Sequence, residues 1–562
     1  MIQYKENPFY LTDEQVEWVE DTYASMSKEE KIGQLFCPIV FTMDEQELKE
    51  LVEGSHIGGM LYREGPGEEL RRAHKILQDN AKIPLLTASN LEYGGNGSAI
   101  EGTYYGREML VAATGNVERA YQLGKVSCSE GAAVGVNWSF APVVDLDQNY
   151  HNPITNVRTF GKDLQTVIDM GKAYLRGAKE EGVATSVKHF PGDGVDERDQ
   201  HLLTSVNSLS CEEWDATYGK IYQEMIEAGT LTVMAAHIAL PAYEEKYDGK
   251  KCERILPATL SKNLLTRLLR EKLGFNGLIT TDATPMVGFC SAMDRATAVP
   301  YCIECGCDMF LFNRNMEEDF RFMTEGYDKG ILSEARLEEA VKRILATKAA
   351  LGLLEKQKAG TLVPDASAFD ILCCEKHDTW ARECADEGVT LVKDTQGLLP
   401  ISPDRHKRIL LELMGDFPSN ERVLSSFTER LEKEGFEVTV YRPEGFEVME
   451  DSVADFKGRY DLVFYVANIE TASNKTVSRL NWHTMFGLGN NMPWMVYEVP
   501  ALFVSVGNPY HLLDAPMVKT FINGYCNSEY VIQAVIDKLL GRSEFKGVSP
   551  IDPFCGRTDL SM

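Results

Sequence analysis

The chemistry in this chain is most concentrated at Lys188-His189-Phe190-Pro191-Gly192-Asp193-Gly194, followed closely by Asp199-Gln200-His201. An apolar run with Val183, Ala184, Ser186 and Val187 ends at a cation and an imidazole. A Pro-Gly-x-Gly turn then redirects the backbone, and a loop presents a carboxylate two residues before a second imidazole. With a bend between them, Asp199 and His201 can bond side chain to side chain. The carboxylate would fix the ring's tautomer and favour its protonated form, giving a proton donor near neutral pH. The same two residues in isolation read more readily as ordinary solvated loop polarity. A second candidate is Gly277-Leu278-Ile279-Thr280-Thr281-Asp282-Ala283, where an apolar run ends at a carboxylate. Asp282 suits a nucleophile, a base, a metal ligand or a helix N-cap.

Eight short apolar runs could hold such groups: Leu35–Val40, Ile57–Leu61, Pro84–Ala88, Val136–Val143, Val183–Val187, Leu231–Ala236, Gly277–Thr281 and Asp308–Phe312. Longer amphipathic stretches separate them; Ser333–Leu354, with Ser333 as N-cap, is one. Buried strands alternating with helices predict a (β/α)8 TIM-type barrel over residues 1–355, because neighbouring parallel strands need helical crossovers. The polar residues Asn90, Glu92, Asp145, Asp147, Lys188, His189, His237, Asp282 and Asn313 fall just past the runs. In a barrel all of these reach the C-terminal face, where the chemistry is done. Asp145 and Asp147 read as loop-ordering residues. His237 reads as a pocket residue or a satisfied core histidine.

Residues 356–375 are irregular and read as a linker. A second, smaller α/β domain of sandwich-like layering is expected over 376–562. Its strands are expected at Val389–Val392, Arg408–Leu413, Glu437–Tyr441, Leu462–Val466, Ala501–Val506 and Thr520–Ile522, in an open, mostly parallel sheet. Ile469–Pro493 reads as a long excursion. At 562 residues, 44% hydrophobic and 25% charged, the chain has the composition of a multi-domain globular protein. A net charge of −28 argues against nucleic acid or an anionic membrane as partner. There is no apolar leader at the start, no run long enough for a bilayer, and an odd count of 13 cysteines. A cytoplasmic setting with free thiols is therefore expected. Cys302, Cys305 and Cys307 lead into an apolar strand and read as core residues, not as a metal site. No metal or cofactor is expected.

The chain resembles the β-N-acetylglucosaminidase branch of glycoside hydrolase family 3. The resemblance rests on the Lys188–Gly194 block with Asp199-x-His201, on Met26–Leu35, Gly58-Gly59, Gly135–Asp145, Asn156–Gly161, Val233–His237 and Thr281-Asp282-Ala283, in family order. Gly388–Lys393, Leu398-Leu399-Pro400 and Gly507-Asn508-Pro509-Tyr510 extend it into the second domain. The resemblance implies that Asp282 is the nucleophile and that Asp199 with His201 replaces the usual carboxylate acid/base. It also implies that Arg158, Lys188 and His189 hold sugar hydroxyls.

Two positions depart from the family pattern. Asp193 stands where a His is usual. Asn90, with Glu92 able to share the role, stands where an Asp binds a sugar hydroxyl. The expected activity is retaining release of terminal β-linked N-acetylglucosamine from oligosaccharides or cell-wall fragments. A neutral imidazole base would not repel an anionic acceptor, so phosphorolysis is an alternative, as is β-glucosidase activity. An inactive sugar-binding protein is the alternative from another class.

Overall fold

The computed structural model describes residues 2–251, 254–415, 418–442, 452–469, 473–474, 476–482, 484–485, 488–489 and 491–561. They form two compact units. The first takes Met1–Tyr105, Ala120–Asn152 and Leu164–Asp378; the second takes Gly106–Arg119, Pro153–Asp163 and Thr379–Met562. Two short segments of the N-terminal half are therefore grouped with the C-terminal strands.

In the first unit, each apolar run contributes a parallel strand: β1 Phe36–Cys37, β2 Gly59–Leu61, β3 Leu86–Ser89, β4 Trp138–Ser139, β5 Ala184–Phe190, β6 Thr232–Ala235, β7 Leu278–Thr281 and β8 Phe310–Leu311. Strands β2 to β7 pair in sequence order, and β1 pairs with β8. Parallel bridges Ile39–Leu61 and Thr280–Met309 join these two sets and close the ring. The strands are buried along their whole length. That is why they read as continuous apolar runs without alternation. Inside the barrel, the indole N–H of Trp138 donates to Thr232 Oγ1 at 2.9 Å, so its polar atom is not stranded.

The end of the barrel opposite the candidate residues is sealed by charge. The buried Asp308 carboxylate receives Arg270 and Arg336, and Arg343 bonds Glu339 beside them. Lys348, also buried, donates to Gln34 Oε1 at 2.6 Å, and burial lowers its pKa to about 7. Cys302, Cys305 and Cys307 are buried thiols in the same unit. The expected long helix Ser333–Leu354 is Glu334–Ala350; it ends before Gly352, whose φ of 65° is left-handed. Ser333 precedes that helix, but its hydroxyl donates to the Glu304 carboxylate at 2.8 Å and makes no cap bond.

The stretch expected as a linker carries structure of its own: a helix over Leu353–Ala359 and a 3-10 turn over Ala366–Ile371. Just beyond, the buried Glu130 carboxylate gathers the Thr103 N–H and hydroxyl, both at 2.6 Å, the Cys373 N–H at 3.1 Å and His377 Nδ1 at 2.7 Å. One desolvated carboxylate with four donors holds the 373–377 segment on the first unit.

The second unit contains β9 Thr390–Asp394, β10 Arg408–Met414, β11 Glu437–Val440, β12 Leu462–Ala467, β13 Ala501–Ser505 and β14 Thr520–Asn523. Their order is β9-β14-β13-β12-β10-β11, parallel except for the β9 edge strand. Tyr465, Phe503 and Phe521 stack across three neighbouring strands at centroid spacings of 6.0 and 5.0 Å. Within the expected 469–493 excursion, residues 470–472, 475, 483, 486, 487 and 490 lie outside the described residues. No helix among the described residues is long and apolar enough to cross a membrane.

Candidate active site

Because the eight strands are parallel, residues just past their C-terminal ends share one face. Strand β5 ends in Lys188-His189-Phe190, and its ladder with β6 is interrupted between Val187 and Phe190. The turn that follows is tied down carbonyl by carbonyl. Pro191 O accepts from the Trp214 indole at 2.7 Å, Gly192 O from Asn207 Nδ2 at 3.1 Å, and Asp193 O from the Tyr218 hydroxyl at 2.5 Å. Gly194 O and Val195 O accept from the backbone N–H and the side chain of Asn149, and Asp196 O from Asn152 Nδ2 at 2.8 Å. Gly192 is required here: its φ is 119°, and a Cβ would lie 2.1 Å from the Tyr218 ring.

This tethered segment delivers Asp199 and His201. Asp199 Oδ1 accepts both the backbone N–H of His201 at 2.8 Å and its ring Nδ1–H at 2.6 Å. The Asp199 side chain is fully buried, and that of His201 is 22% exposed. With Nδ1 committed to a carboxylate, Nε2 is the nitrogen left to exchange a proton. The pair rests on the short helix Val287–Cys290: Val287 N–H donates to His201 O and Gly288 N–H to Gln200 O. A Cβ on Gly288 would stand 2.5 Å from Gln200 O and 2.9 Å from His237 Cβ, so only glycine lets the loop come this close.

Asp282, half-buried at the end of β7, donates its N–H to Ala235 O at 2.7 Å, and its Oδ1 accepts the Ala283 N–H at 2.7 Å. Burial works to raise its pKa. The imidazoles of His189, His237 and His201, with the Ala283 N–H, outweigh burial and hold the carboxyl below its usual range. The same interactions place Asp282 in the field of His189 and His201. Of the options open for Asp282, the helix N-cap is not used: Val287–Cys290 begins after Met286.

His237, expected as a pocket residue or a satisfied core histidine, lies just past β6. It is fully buried; Nε2–H donates to Ala283 O at 2.9 Å, and Nδ1 pairs with the Thr259 hydroxyl at 3.0 Å. A carbonyl only accepts, so the proton sits on Nε2, and burial first of all lowers the ring's pKa. Both nitrogens are occupied, and the ring braces the residue that follows Asp282.

Lys188 and Glu92 form a buried ion pair at 2.7 Å, which ties the ends of β5 and β3. His189 is held by Asp145, which accepts its ring Nδ1–H at 2.6 Å and its backbone N–H at 3.1 Å. Asp145 Oδ1 also accepts the Asp193 N–H at 2.8 Å, so this residue does order the loop. Asn90 is half-buried beside Glu92. Arg158 lies in the second unit, where its Nη1 donates to Ile154 O at 3.3 Å. The residues that sequence reasoning missed are Trp214, Asn207, Tyr218, Asn149 and Asn152. Their signal was faint, since a Trp and a Tyr on an amphipathic stretch read as core.

Residues 27–347 match the Glycosyl hydrolase family 3 N terminal domain. The chain is 44% identical over 570 residues to a β-N-acetylglucosaminidase/β-glucosidase of Cellulomonas fimi, covering 100% of both. A β-hexosaminidase of Vibrio cholerae is 32% identical over 51% of this chain and 84% of its own length. Among solved structures, a β-glucoside phosphorylase (BglX) bound to 2FGlc superposes with a TM-score of 0.94 at 45% identity, over 99% of this chain and 100% of its own. A family 3 β-N-acetylglucosaminidase of Paenibacillus sp. str. FPU-7 shares the fold, with a TM-score of 0.79 at 24% identity over 94% of this chain and 99% of its own. With the barrel, the strand-end carboxylate and the Asp-x-His pair, these likenesses identify the chain as a member of glycosyl hydrolase family 3.

Proposed function

We propose that this enzyme is a retaining exo-β-glycosidase that removes terminal β-linked N-acetylglucosamine from oligosaccharides or cell-wall fragments, with β-glucosides as a related substrate class. The observation that carries this reading is the Asp199–His201 pair at 2.6 Å, whose imidazole lies in the field of a depressed-pKa Asp282. Asp282, ionised at neutral pH, attacks the anomeric carbon while His201 Nε2–H protonates the departing oxygen. The neutral imidazole then takes a proton from water as it attacks the same carbon, and the Asp282 carboxylate is released. Asp199 holds the ring through both steps and stabilises the charged form that donates in the first and is regenerated in the second. Lys188, His189 and Asn90 hold sugar hydroxyls, with Glu92 fixing Lys188. No metal or cofactor enters. The free thiols among the described residues agree with a cytoplasmic setting.

A second reading concerns the acceptor. Once His201 is neutral, no carboxylate stands at the acid/base position to repel an anion, so phosphate can take the place of water. The likeness to a β-glucoside phosphorylase supports that variant. The test is aryl release from a β-N-acetylglucosaminide and from the matching β-glucoside in phosphate-free buffer, repeated with phosphate and with analysis for sugar 1-phosphate. Preference for the N-acetyl sugar without phosphate dependence supports the hydrolase; a sugar 1-phosphate product moves the phosphorylase to the front. Calorimetric sugar binding without turnover would overturn both in favour of a binding protein.

A further inference from the structure

We propose that Asp193 is a positioning residue that works as a neutral carboxylic acid, coupling the brace on His189 to the turn that leads to His201. The inference rests on the reading of Asp282 and His201 as the catalytic pair.

Asp193 is 2% exposed and sits at the crossing of several tethers. Its N–H donates to Asp145 Oδ1 at 2.8 Å, and its carbonyl accepts the Tyr218 hydroxyl. Its Oδ1 accepts the Gly194 N–H at 2.7 Å and Asn152 Nδ2 at 3.0 Å. Its Oδ2 is buried with no partner among the described residues. With Oδ1 already accepting two N–H groups, a proton on this side chain belongs on Oδ2.

The neighbours decide the protonation state. Asp145 must stay ionised to accept the His189 ring, the His189 N–H and the Asp193 N–H together. Two buried carboxyls sharing a site do not both ionise. The other titratable groups around Asp193 are Asp199 on the following loop, Tyr218 and Tyr222 on the stretch after Trp214, and Asp147 beside Tyr218. The carboxylates oppose a further negative charge, and both phenols are held neutral, chiefly by burial. Burial, then Asp145, push the Asp193 carboxyl up to about 8. Above that pH a charge would form against Asp145 and loosen its hold on His189.

The test is the pH dependence of kcat/KM for a dinitrophenyl β-glycoside, a leaving group that departs without a proton from His201. Wild type is expected to lose activity through an alkaline limb near pH 8. Asp193→Asn, which copies the neutral acid, is expected to match wild type within about threefold at pH near 6.5 and to lack the limb. A limb unchanged in Asp193→Asn, or a tenfold loss on its neutral side, overturns the proposal. Asn152→Ala is the second variant, since it removes a donor that favours the ionised form: the limb should move to higher pH, and a fixed limb again overturns the proposal. A wild type silent on every glycoside would instead overturn the functional reading, and this inference with it.

Discussion

Asp145 grips His189 at two points, accepting the ring Nδ1–H at 2.6 Å on one oxygen and the backbone N–H at 3.1 Å on the other. The ring's tautomer, its rotation and the position of its main chain are thus set by one carboxylate from the neighbouring strand end. Hydrogen bonds to a charged group are worth about 1.5–3 kcal/mol. Asp145→Asn should therefore lower kcat/KM by roughly 10–100-fold, since the amide cannot reproduce all three acceptor contacts. Steady-state kinetics on an aryl glycoside measures this; an unaffected variant would mean His189 needs no brace.

Asp282→Asn should abolish turnover of every glycoside, because an amide at that position cannot form the glycosyl-enzyme. His201→Ala should lose roughly 10²–10⁴-fold on a poor leaving group and far less on an activated one in the first step. Wild-type turnover by Asp282→Asn would show that the nucleophile lies elsewhere.

The pKa of Asp282 is held below its usual value in the folded enzyme, so its favourable interactions are present above the unfolded pKa and lost as pH falls through the folded one. Activity that needs the ionised carboxylate should accordingly persist on the acid side past the ordinary carboxylate range. An acid limb in kcat/KM at or above the value of a free aspartate would contradict the histidine field around it.

Lys348 titrates near 7 in the folded barrel, and an unfolded lysine near 10.4. Between those values the unfolded chain binds more protons, so this residue makes the fold more stable as pH rises. Lys348→Met removes that contribution. The Tm advantage of the variant over wild type should be greatest on the acid side of 7 and shrink toward pH near 10, which calorimetry at several pH values would show. A constant difference would mean the lysine stays charged in the core.

Gly288→Ala should displace the Asp199–His201 loop from the helix beneath it, because the new methyl meets Gln200 O at 2.5 Å. The expected result is a fall in kcat of roughly tenfold or more with the barrel intact by circular dichroism. Full activity would show that the loop need not dock there.

Much of this could be read from the chain because buried parallel strands advertise themselves. Six of the eight barrel strands lie within the expected apolar runs, the other two run past theirs to Ser89 and Phe190, and the Asp-x-His and Thr-Asp-Ala blocks are local in sequence. What could not be read is long-range. His237 was an ambiguous strand-end histidine because its partners, Thr259 and Ala283, are 22 and 46 residues away. A residue type does not say whether its ring nitrogens are occupied. Glu92 resisted assignment for the same reason, as its pairing with Lys188 spans two strand ends. The grouping of Gly106–Arg119 and Pro153–Asp163 with the second unit depends on packing that no local period encodes.

The donors along residues 191–196 also have a meaning for redesign and for inheritance. A loop spliced in from a relative without its matching Trp214, Asn207 and Tyr218 would bring buried carbonyls that nothing caps, each costing roughly 1–3 kcal/mol. The proton donor therefore cannot be swapped as a short loop cassette. Its smallest transplantable module joins the stretch from the turn after β5 through Tyr218 to Asn149 and Asn152, which cap residues 194–196, and changes in this chain's acid/base chemistry should be inherited as that set.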